Sequence, residues 1–336
     1  MLENIKTMAK LANEADVDIR PHCKSHKTVE IAKQQIRFGA SGITASTLKE
    51  VEMLIKGGIE SITLAYPLIG EEKISSYLKL GKNIDLRSIV LDFEHAKYLN
   101  RYFSRSNPLI AYLKVDCGLK RLGIQPEETE DTIEQITELE NIMIIGLLTH
   151  GGQSYSGLLP KEVVAKVEAA AVLSHKLPSL LASAGSTPTA KELLKIPGID
   201  EIRPGNYVFY DNTMINLGVC KENECSLFVK STILAIYKEY IVIDAGSKSL
   251  SSDSGVHGNS LLKGFGLIVE DKSLIIERLS EEHGIVTGNG INNFKVGDQL
   301  TIIPNHACAV VNLFDEMHVF DGNKLFDSYK IRGRGH

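Results

Sequence analysis

The sequence predicts an α/β protein in which an eight-stranded parallel (β/α)8 barrel is followed by a mainly β C-terminal domain. Eight short apolar runs alternate with helical patterns through the first two thirds of the chain, and most of these runs are continuously apolar, as is typical of parallel strands buried on both faces. No G-x-G-x-x-G segment follows any of the runs, which favours the closed barrel over a doubly wound open sheet. After about residue 225 the long helical patterns stop, which indicates a second domain.

The elements are predicted in chain order from the period of the apolar residues. Amphipathic patterns predict helices that include 2–15, 47–56, 160–175 and 191–195. The barrel strands are predicted at 18–24, 42–46, 61–66, 86–92, 109–116, 142–150, 179–184 and 201–209. Glycine and asparagine turns separate the predicted strands of the second domain, at 231–243, 260–269, 273–279, 284–287, 298–304 and 310–320. We therefore expect a barrel domain at 1–222 and a β domain at 223–336.

The composition excludes several classes of protein. Hydrophobic residues make up 43% and charged residues 24% of the 336 residues, a mixture typical of soluble globular proteins. The formal net charge of −5 provides no basic field that would hold nucleic acid or an anionic membrane. The first residues contain no signal-peptide core, and no apolar stretch is long enough to span a bilayer. Because five cysteines without a C-x-x-C pair argue against a disulfide framework, we expect a cytoplasmic enzyme.

The first predicted strand ends in an unusually basic segment. Residues 20–27 read RPHCKSHK, and the C-terminal ends of barrel strands are where active sites lie. A lysine that is partly desolvated beside other cations has a lowered pKa and can act as an amine nucleophile or form a Schiff base. A solvated basic turn explains the composition equally well, so both interpretations stay open at this point.

A second segment suggests a phosphate site. Residues 183–190 read SAGSTPTA and lead into the predicted helix at 191–195, and small or hydroxyl residues at a helix N-terminus can bind phosphate through free N–H groups. A simple helix cap is the alternative. The next strand ends in Arg-Pro-Gly at 203–205, and phosphate sites in such barrels lie beside the last two strands. We therefore expect a ligand that carries a phosphate.

A possible metal pair lies in the second domain. His306 and Cys308 fall within a predicted strand region, where residues two apart point to the same face, and both are good zinc ligands. Two ligands do not make a closed structural site, so a metal here would keep open positions for substrate and water. A buried cysteine beside a hydrogen-bonded histidine is the alternative interpretation.

Six motifs occur together along the chain. They read RPHCKSHK at 20–27, YPLIG at 66–70, RPGNYVFYD at 203–211, DAGSK at 244–248, EEHG at 281–284 and PNHACAVVN at 304–312. With these motifs the sequence resembles the D-threonine aldolase and D-serine dehydratase family, whose members are relatives of alanine racemase and use pyridoxal 5′-phosphate (PLP) and a divalent metal ion. The resemblance covers nearly the whole chain, and it implies the same barrel and β domain, usually in a homodimer.

The resemblance implies which residues bind the cofactor. The first lysine of the R-P-H-x-K motif, Lys24, would hold PLP as a Schiff base, with His22 beside it. Arg121 fits the arginine that faces the ring nitrogen, and Arg203 is the second candidate. The residues that would contact the ring are His150 and Tyr155. The phosphate would lie against Gly185, Ser186, Thr187, Gly205, Asn206 and Tyr207.

The resemblance also implies a reaction. His306 and Cys308 match the family's metal pair, for which a thiolate ligand favours zinc, with manganese as an alternative. The implied activity is that of a lyase on β-hydroxy D-amino acids, which dehydrates D-serine to pyruvate and ammonia or cleaves D-threonine to glycine and acetaldehyde. A PLP-binding protein without lyase activity and an amino-acid racemase are the alternatives, and neither of them needs the metal pair.

Overall fold

The computed structural model describes residues 1–253 and 262–335, which divide into two compact units. The barrel unit contains residues 2–154 and 158–205 and the end of the chain from 332. The β unit contains Met1, 155–157 and 206–331. The chain thus passes from one unit to the other between 205 and 206, inside the stretch that the sequence assigned to the barrel domain.

The barrel unit is built from eight parallel strands and the helices between them. The strands are β1 (Asp18–Ile19), β2 (Ile43–Ala45), β3 (Ser61–Leu64), β4 (Asp85–Val90), β5 (Leu109–Lys114), β6 (Ile142–Leu148), β7 (Leu181–Ala184) and β8 (Glu201–Ile202). The helices are α1 (Leu2–Glu14), α2 (Val29–Arg37), α3 (Leu48–Lys56), α4 (Glu71–Leu80), α5 (Phe93–Asn100), α6 (Thr129–Thr137), α7 (Lys161–Leu173) and α8 (Ala190–Leu193). The sheet runs from β2 in order to β8 and on to β1, and a parallel bridge between His22 and Thr44 joins β1 to β2. The predicted eight-stranded barrel is confirmed.

Local sequence explains where several of the barrel helices begin. Helices α2, α3 and α5 are preceded by Thr28, Thr47 and Asp92, and each of these side chains accepts a hydrogen bond from the backbone N–H three residues on. Such caps satisfy N–H groups that have no partner within the helix. Each cap therefore fixes where the loop that follows a strand ends and where the next helix begins.

The predicted barrel strands extend too far at their C-terminal ends. Strand β1 ends at Ile19 rather than at 24, and a short 3-10 helix at Cys23–Ser25 follows it. Strand β8 ends at Ile202 rather than at 209, and a 3-10 helix at Asn206–Val208 follows. These turns are themselves largely buried, so burial alone does not mark where the hydrogen-bonded strand ends.

The β unit contains a six-stranded antiparallel sheet, a separate hairpin and three short helices among the described residues. Its strands are β9 (Val229–Ile236), β10 (Ile241–Ile243), β11 (Leu267–Ile268), β12 (Leu274–Leu279), β13 (Gly284–Gly288), β14 (Gln299–Ile303), β15 (Glu316–Asp321) and β16 (Lys324–Lys330). Its helices are α9 (Asn212–Asn216), α10 (Ser247–Leu250) and α11 (Ala307–Val311). The sheet order is β11-β14-β9-β10-β13-β12, and β15 pairs with β16. Its core is aliphatic and includes Ile233, Ile243, Ile276 and Ile302.

Three predictions for the β unit need correction. The single strand predicted at 231–243 is two strands, β9 and β10, joined by a turn. The strand predicted at 310–320 is replaced by the end of α11 and by β15, because a short apolar run such as ACAVV fits a helix as well as a strand. The strand predicted at 260–269 begins outside the described residues, and its described part holds only β11. None of the helices in the described ranges combines the length and apolar character needed to cross a membrane.

Candidate active site

A cavity of about 980 Å³ lies within the barrel unit at the C-terminal ends of its strands. Five of the side chains predicted from the sequence line it: His22, Lys24, Arg121, His150 and Arg203. They follow β1, β5, β6 and β8, so strands distant in sequence bring them together, as active sites in such barrels require. The volume lies in the range of small-molecule and cofactor sites.

The structure distinguishes the two lysines of the basic segment. Lys24 lies in the 3-10 turn after β1 and lines the cavity. Lys27 instead donates a hydrogen bond of 2.8 Å from Nζ to Oε1 of Glu50, a fully buried carboxylate on α3, and a second of 3.2 Å to the Gly333 carbonyl. Because Lys27 is held in this ion pair, Lys24 is the lysine of the segment that is placed to meet a ligand in the cavity.

Both histidines that line the cavity are held in the neutral form. Burial lowers the pKa of His22 well below 6.5, and the nearby charges of Lys24 and Arg203 lower it further. Burial and the Lys24 charge act in the same way on the pKa of His150, whose Nδ1 lies 3.3 Å from the Gly185 carbonyl oxygen. Nδ1 of His22 is buried and has no hydrogen-bond partner among the described residues. An acceptor or donor is therefore available there for a bound group.

The two candidate arginines differ in how firmly they are held. The guanidinium group of Arg203 is buried and donates to the Ser183 hydroxyl and the Thr149 carbonyl. Arg121 is exposed, and it makes no ion pair or hydrogen bond that is seen within the described ranges. A fixed planar guanidinium keeps its direction toward one ligand atom, so the structure favours Arg203 over Arg121 as a stationary contact.

The predicted phosphate loop is a buried turn rather than a long helix start. Gly185 has φ +117°, a backbone conformation that favours glycine, and its N–H donates to Oε1 of Glu168 at 3.2 Å. Ser186 and Thr187 are buried, and Oγ1 of Thr187 accepts from the N–H of Gly205 at 3.2 Å. The helix predicted at 191–195 is α8 at Ala190–Leu193. The structure thus brings Gly185, Ser186, Thr187 and Gly205 together.

Close packing at Gly205 connects this turn to the segment that carries Lys24. A Cβ atom added at Gly205 would lie 2.8 Å from Oγ of Ser25 and 3.0 Å from Cβ of His22. Only glycine therefore permits this approach between the turn after β8 and the turn after β1.

Lys114 is a functional candidate that the sequence analysis missed. It is the last residue of β5, it is buried, and it lines the same cavity. Burial lowers its pKa to about 8, and its Nζ donates to the carbonyl oxygens of Val115 and Leu148 at 3.0 and 3.5 Å. The available signal was a lysine that interrupts a continuously apolar strand, which is costly unless the charge has a use.

Three predicted cofactor residues belong to the β unit. Tyr155 lies in a 3-10 turn at Gly152–Ser156, and Tyr207 is buried in the turn Asn206–Val208. Asn206 is also buried, and its Nδ2 donates to Oδ2 of Asp211 at 2.5 Å. Their roles toward a cofactor stay predictions.

The predicted metal pair is present, but it does not lie on a strand. His306 is the residue before α11, and Cys308 lies in its first turn, so the expectation of two residues on one strand face is wrong. The two side chains nevertheless lie within hydrogen-bonding reach of each other.

A carboxylate that the sequence analysis missed orients the histidine of the pair. Nδ1 of His306 lies 2.7 Å from Oδ2 of Asp253. Burial alone would lower the pKa of His306, but the contacts with Asp253 and Cys308 raise it to about 10. A carboxylate on one ring nitrogen of a histidine fixes the tautomer that leaves the other nitrogen for a metal.

The donor set fits a site with open metal positions. Within the described residues, no group of three or more His, Cys, Asp or Glu side chains is placed to hold a metal ion. A nitrogen and a sulfur donor suit zinc, and two protein ligands leave room for substrate. The five cysteines are all free thiols, and Cys308 is the one that is not fully buried.

Comparison with known protein families gives matches over most of the chain. The family model described as alanine racemase, N-terminal domain, matches residues 1–213, and the model described as putative serine dehydratase domain matches residues 226–320. The chain belongs to the alanine racemase-like family of D-serine dehydratases and D-threonine aldolases. The family resemblance seen in the six sequence motifs is confirmed.

Individual relatives cover almost the whole chain. A D-serine dehydratase of Dictyostelium discoideum is 32% identical over 97% of this chain and 92% of the relative. A D-threo-3-hydroxyaspartate dehydratase of Delftia sp. is 29% identical over 92% of this chain and 88% of the relative. The solved structure of the Delftia enzyme has a TM-score of 0.91 at 28% identity, covering 100% of this chain and 95% of that one.

Proposed function

We propose that this protein is a PLP- and divalent-metal-dependent lyase that acts on β-hydroxy D-amino acids. The observation that carries the proposal is the separation of roles within the basic segment: Lys24 lines the barrel cavity, while Lys27 is held by Glu50. Membership of the dehydratase and aldolase family supports the class of reaction.

The residues of the barrel cavity fit PLP. Lys24 would attach the cofactor and take the proton from Cα of the substrate, and Arg203, held by Ser183 and Thr149, would face the ring nitrogen. The buried, unpartnered Nδ1 of His22 supplies a further polar contact. When bound, PLP supplies an electron sink that acidifies the Cα–H bond.

The remaining predicted cofactor residues take supporting roles in this proposal. The backbone and hydroxyl groups of the turn after β7 would bind the phosphate, and an imidazole or a phenol would contact the ring. The residues assigned to these two roles are Gly185, Ser186, Thr187, Gly205, Asn206, Tyr207, His150 and Tyr155.

The residues before and within α11 fit a catalytic metal ion. His306 and Cys308 would hold it, with Asp253 fixing the histidine ring. The ion would act as a Lewis acid on the substrate β-hydroxyl. We propose zinc because of the thiolate ligand, with manganese as the alternative. We also propose a homodimer, which rests on the family resemblance. A cytoplasmic location is proposed from the cysteine content, and a domain boundary between 222 and 223 from the change in sequence pattern.

We propose dehydration as the outcome of the reaction. The thiolate in the metal pair resembles the dehydratase members of the family, and the two relatives described above are named as dehydratases. Loss of the β-hydroxyl as water after removal of the Cα proton gives an enamine, whose imine tautomer is hydrolysed by water to an oxo-acid and ammonia. Loss of the hydroxyl proton instead leads to Cα–Cβ cleavage and gives glycine and an aldehyde.

The test is turnover of D-serine, D-threonine and their L-forms by the purified protein, with and without a chelator. We expect ammonia and an oxo-acid from D-serine, none from L-serine, and loss of turnover on chelation with cofactor absorbance retained. Cys308→Ala should behave like the chelated enzyme, whereas Cys225→Ala, a buried thiol of the same unit, should stay active. Full activity after chelation would refute the metal-dependent mechanism.

Chemical labelling separates this proposal from its alternatives. Borohydride reduction followed by peptide mapping should place a pyridoxyl group on Lys24, and a label on Lys27 would overturn the assignment. A protein that carries the label but converts no D-amino acid would be a PLP-binding protein, and one that interconverts D- and L-forms without metal would be a racemase.

A further inference from the structure

Two segments of the β unit are joined by hydrogen bonds at the metal pair. The N–H groups of Asn212 and Thr213 donate to the carbonyl oxygens of Pro304 and Asn305 at 3.0 and 3.3 Å. The Thr213 hydroxyl donates to the Asn305 carbonyl at 2.6 Å, and the side-chain amide of Asn212 donates to Oδ1 of Asn305 at 2.8 Å. The segment around 211 therefore fixes the chain directly before His306.

Asp211 makes the contact nearest to the two ligands. It is fully buried (0% exposed), and its Oδ1 accepts from the N–H of Met214 at 3.0 Å, which caps α9. Its Oδ2 accepts at 3.0 Å from the N–H of Ala307, the residue between His306 and Cys308. A single carboxylate thus holds the backbone from which both predicted ligands project.

Asn206 extends this contact to the thiol. Its Nδ2 donates to Oδ2 of Asp211 at 2.5 Å and lies 4.0 Å from Sγ of Cys308. Asn206 is 3% exposed, and its Oδ1 has no hydrogen-bond partner among the described residues. A buried acceptor left without a partner is costly, so the unpartnered oxygen of a side chain whose amide nitrogen lies near the thiol indicates that a further group binds in this region.

We propose that Asp211, together with Asn206, is a positioning residue for the metal site. Asp211 accepts hydrogen bonds at both oxygens, so it acts through Ala307 and through its buried negative charge rather than as a ligand. That charge favours a divalent cation in a region of low dielectric constant, and the hydrogen bond to Ala307 keeps His306 and Cys308 at the helix start. The inference rests on the proposed metal role of this pair.

The test measures metal affinity directly. Asp211→Asn keeps the shape of the side chain and can still cap α9, since Asn and Asp cap helices about equally well. It removes the charge, however, and places an amide N–H donor against the donors of Asn206 and Ala307. We expect its zinc dissociation constant, from competition with a chromogenic chelator, to rise about 10- to 100-fold, which is the usual effect of losing such an outer contact. The PLP content should not change.

Asp92→Asn is the matched control. Asp92 caps α5 in the barrel unit with almost the same backbone angles, φ −164° and ψ −178°, as Asp211 with φ −162° and ψ −178°. It should alter thermal stability like any charge change at a cap but leave zinc affinity within twofold of the wild type. A purely structural role for Asp211 would lower the melting temperature of the metal-free protein without changing the zinc dissociation constant.

Two more variants keep the proposal testable if Asp211→Asn folds poorly. Asn206→Ala leaves the carboxylate and removes its amide partner, and it should weaken zinc binding by a smaller factor. The exchange Asn206→Asp/Asp211→Asn restores one charge and one amide in contact, and it should recover part of the affinity. If the wild type binds zinc and Asp211→Asn or Asn206→Ala binds it with the same affinity, only the positioning role is overturned. If the wild type binds no zinc, the proposed metal function is overturned as well.

Discussion

The ion pair between Lys27 and Glu50 supports the turn that carries the proposed attachment lysine. Glu50 is fully buried, and it accepts hydrogen bonds from Nζ of Lys27 at 2.8 Å and from the N–H of Ser46 at 2.6 Å. The thiol of Cys23, next to Lys24, also donates to Oε2 of Glu50 at 3.5 Å. Replacement of this one carboxylate therefore disturbs three donors at once.

We predict that Glu50→Gln lowers the free energy of unfolding by about 3–5 kcal/mol, the usual cost of leaving one buried charge without its partner. At 2.8 Å and an effective dielectric constant of about 20, the attraction between the two charges is about 6 kcal/mol. In the variant the Lys27 ammonium stays buried, so it loses this attraction without regaining its hydration. The amide NH2 group of the glutamine would also point at one of the donors that now bind the carboxylate, such as Nζ of Lys27 or the N–H of Ser46. A loss of this size should lower the melting temperature of a domain of this length by about 10 °C.

The assay is urea and thermal unfolding of the cofactor-free protein, followed by circular dichroism. Glu52→Gln is the control, because Glu52 lies on the same helix but pairs with Lys56 at the surface, where such pairs contribute about 0–1 kcal/mol. Lys27→Met/Glu50→Gln should be more stable than Glu50→Gln alone, since it removes the unpaired ammonium. The reasoning would be refuted by Glu50→Gln unfolding within about 1 kcal/mol of Glu52→Gln.

Three further predictions concern the barrel cavity and its surroundings. Ser186→Ala/Thr187→Ala should weaken PLP binding by about 1.5–3 kcal/mol for each charge-assisted hydrogen bond lost, and an unchanged dissociation constant in a spectrophotometric titration would place the phosphate elsewhere. Arg203→Lys should lower kcat by about tenfold or more, because it loses buried, fixed contacts. Arg121→Lys, at an exposed position, should lower kcat by less. The reverse order in steady-state kinetics would return the ring-nitrogen role to Arg121. Burial lowers the pKa of His26 to about 3, so the unfolded chain binds one more proton below pH 6.5 and stability falls by about 1.4 kcal/mol per pH unit toward pH 3. The free energy of unfolding of His26→Asn, measured in urea at pH 7 and 5, should change less between the two pH values than that of the wild type. An equal change in the two proteins would contradict a neutral, buried imidazole.

The barrel part of the site could be predicted because its residues follow strands that are easy to recognise. A continuously apolar run that ends in RPHCKSHK or in Arg-Pro-Gly places charged groups at the mouth of a barrel, and the structure has them there. The sequence could not separate Lys24 from Lys27 on physical grounds, however. The partner that holds Lys27 is on α3, 23 residues away, and nothing in the local pattern specifies that contact.

The β unit was harder to predict because its local signals are weak. His306 and Cys308 were found as a pair, but the apolar residues after them fit two kinds of secondary structure, and the helix α11 was missed. The contacts that hold the pair are long-range: Asp253 and Asp211 lie 53 and 96 residues from their partners His306 and Ala307. Only the folded chain shows that these carboxylates belong to the same site.

The charge states in the barrel cavity limit which of its groups can move protons. The pKa of His22 and that of His150 are held well below 6.5, so at neutral pH both rings are uncharged and are weak bases. Two protons of the Lys114 ammonium are directed at backbone carbonyls, which ties that group to the barrel wall. An amine is then the stronger base available in the cavity for the proposed proton transfer at Cα, and Lys24 is the amine of the basic segment that lines this cavity.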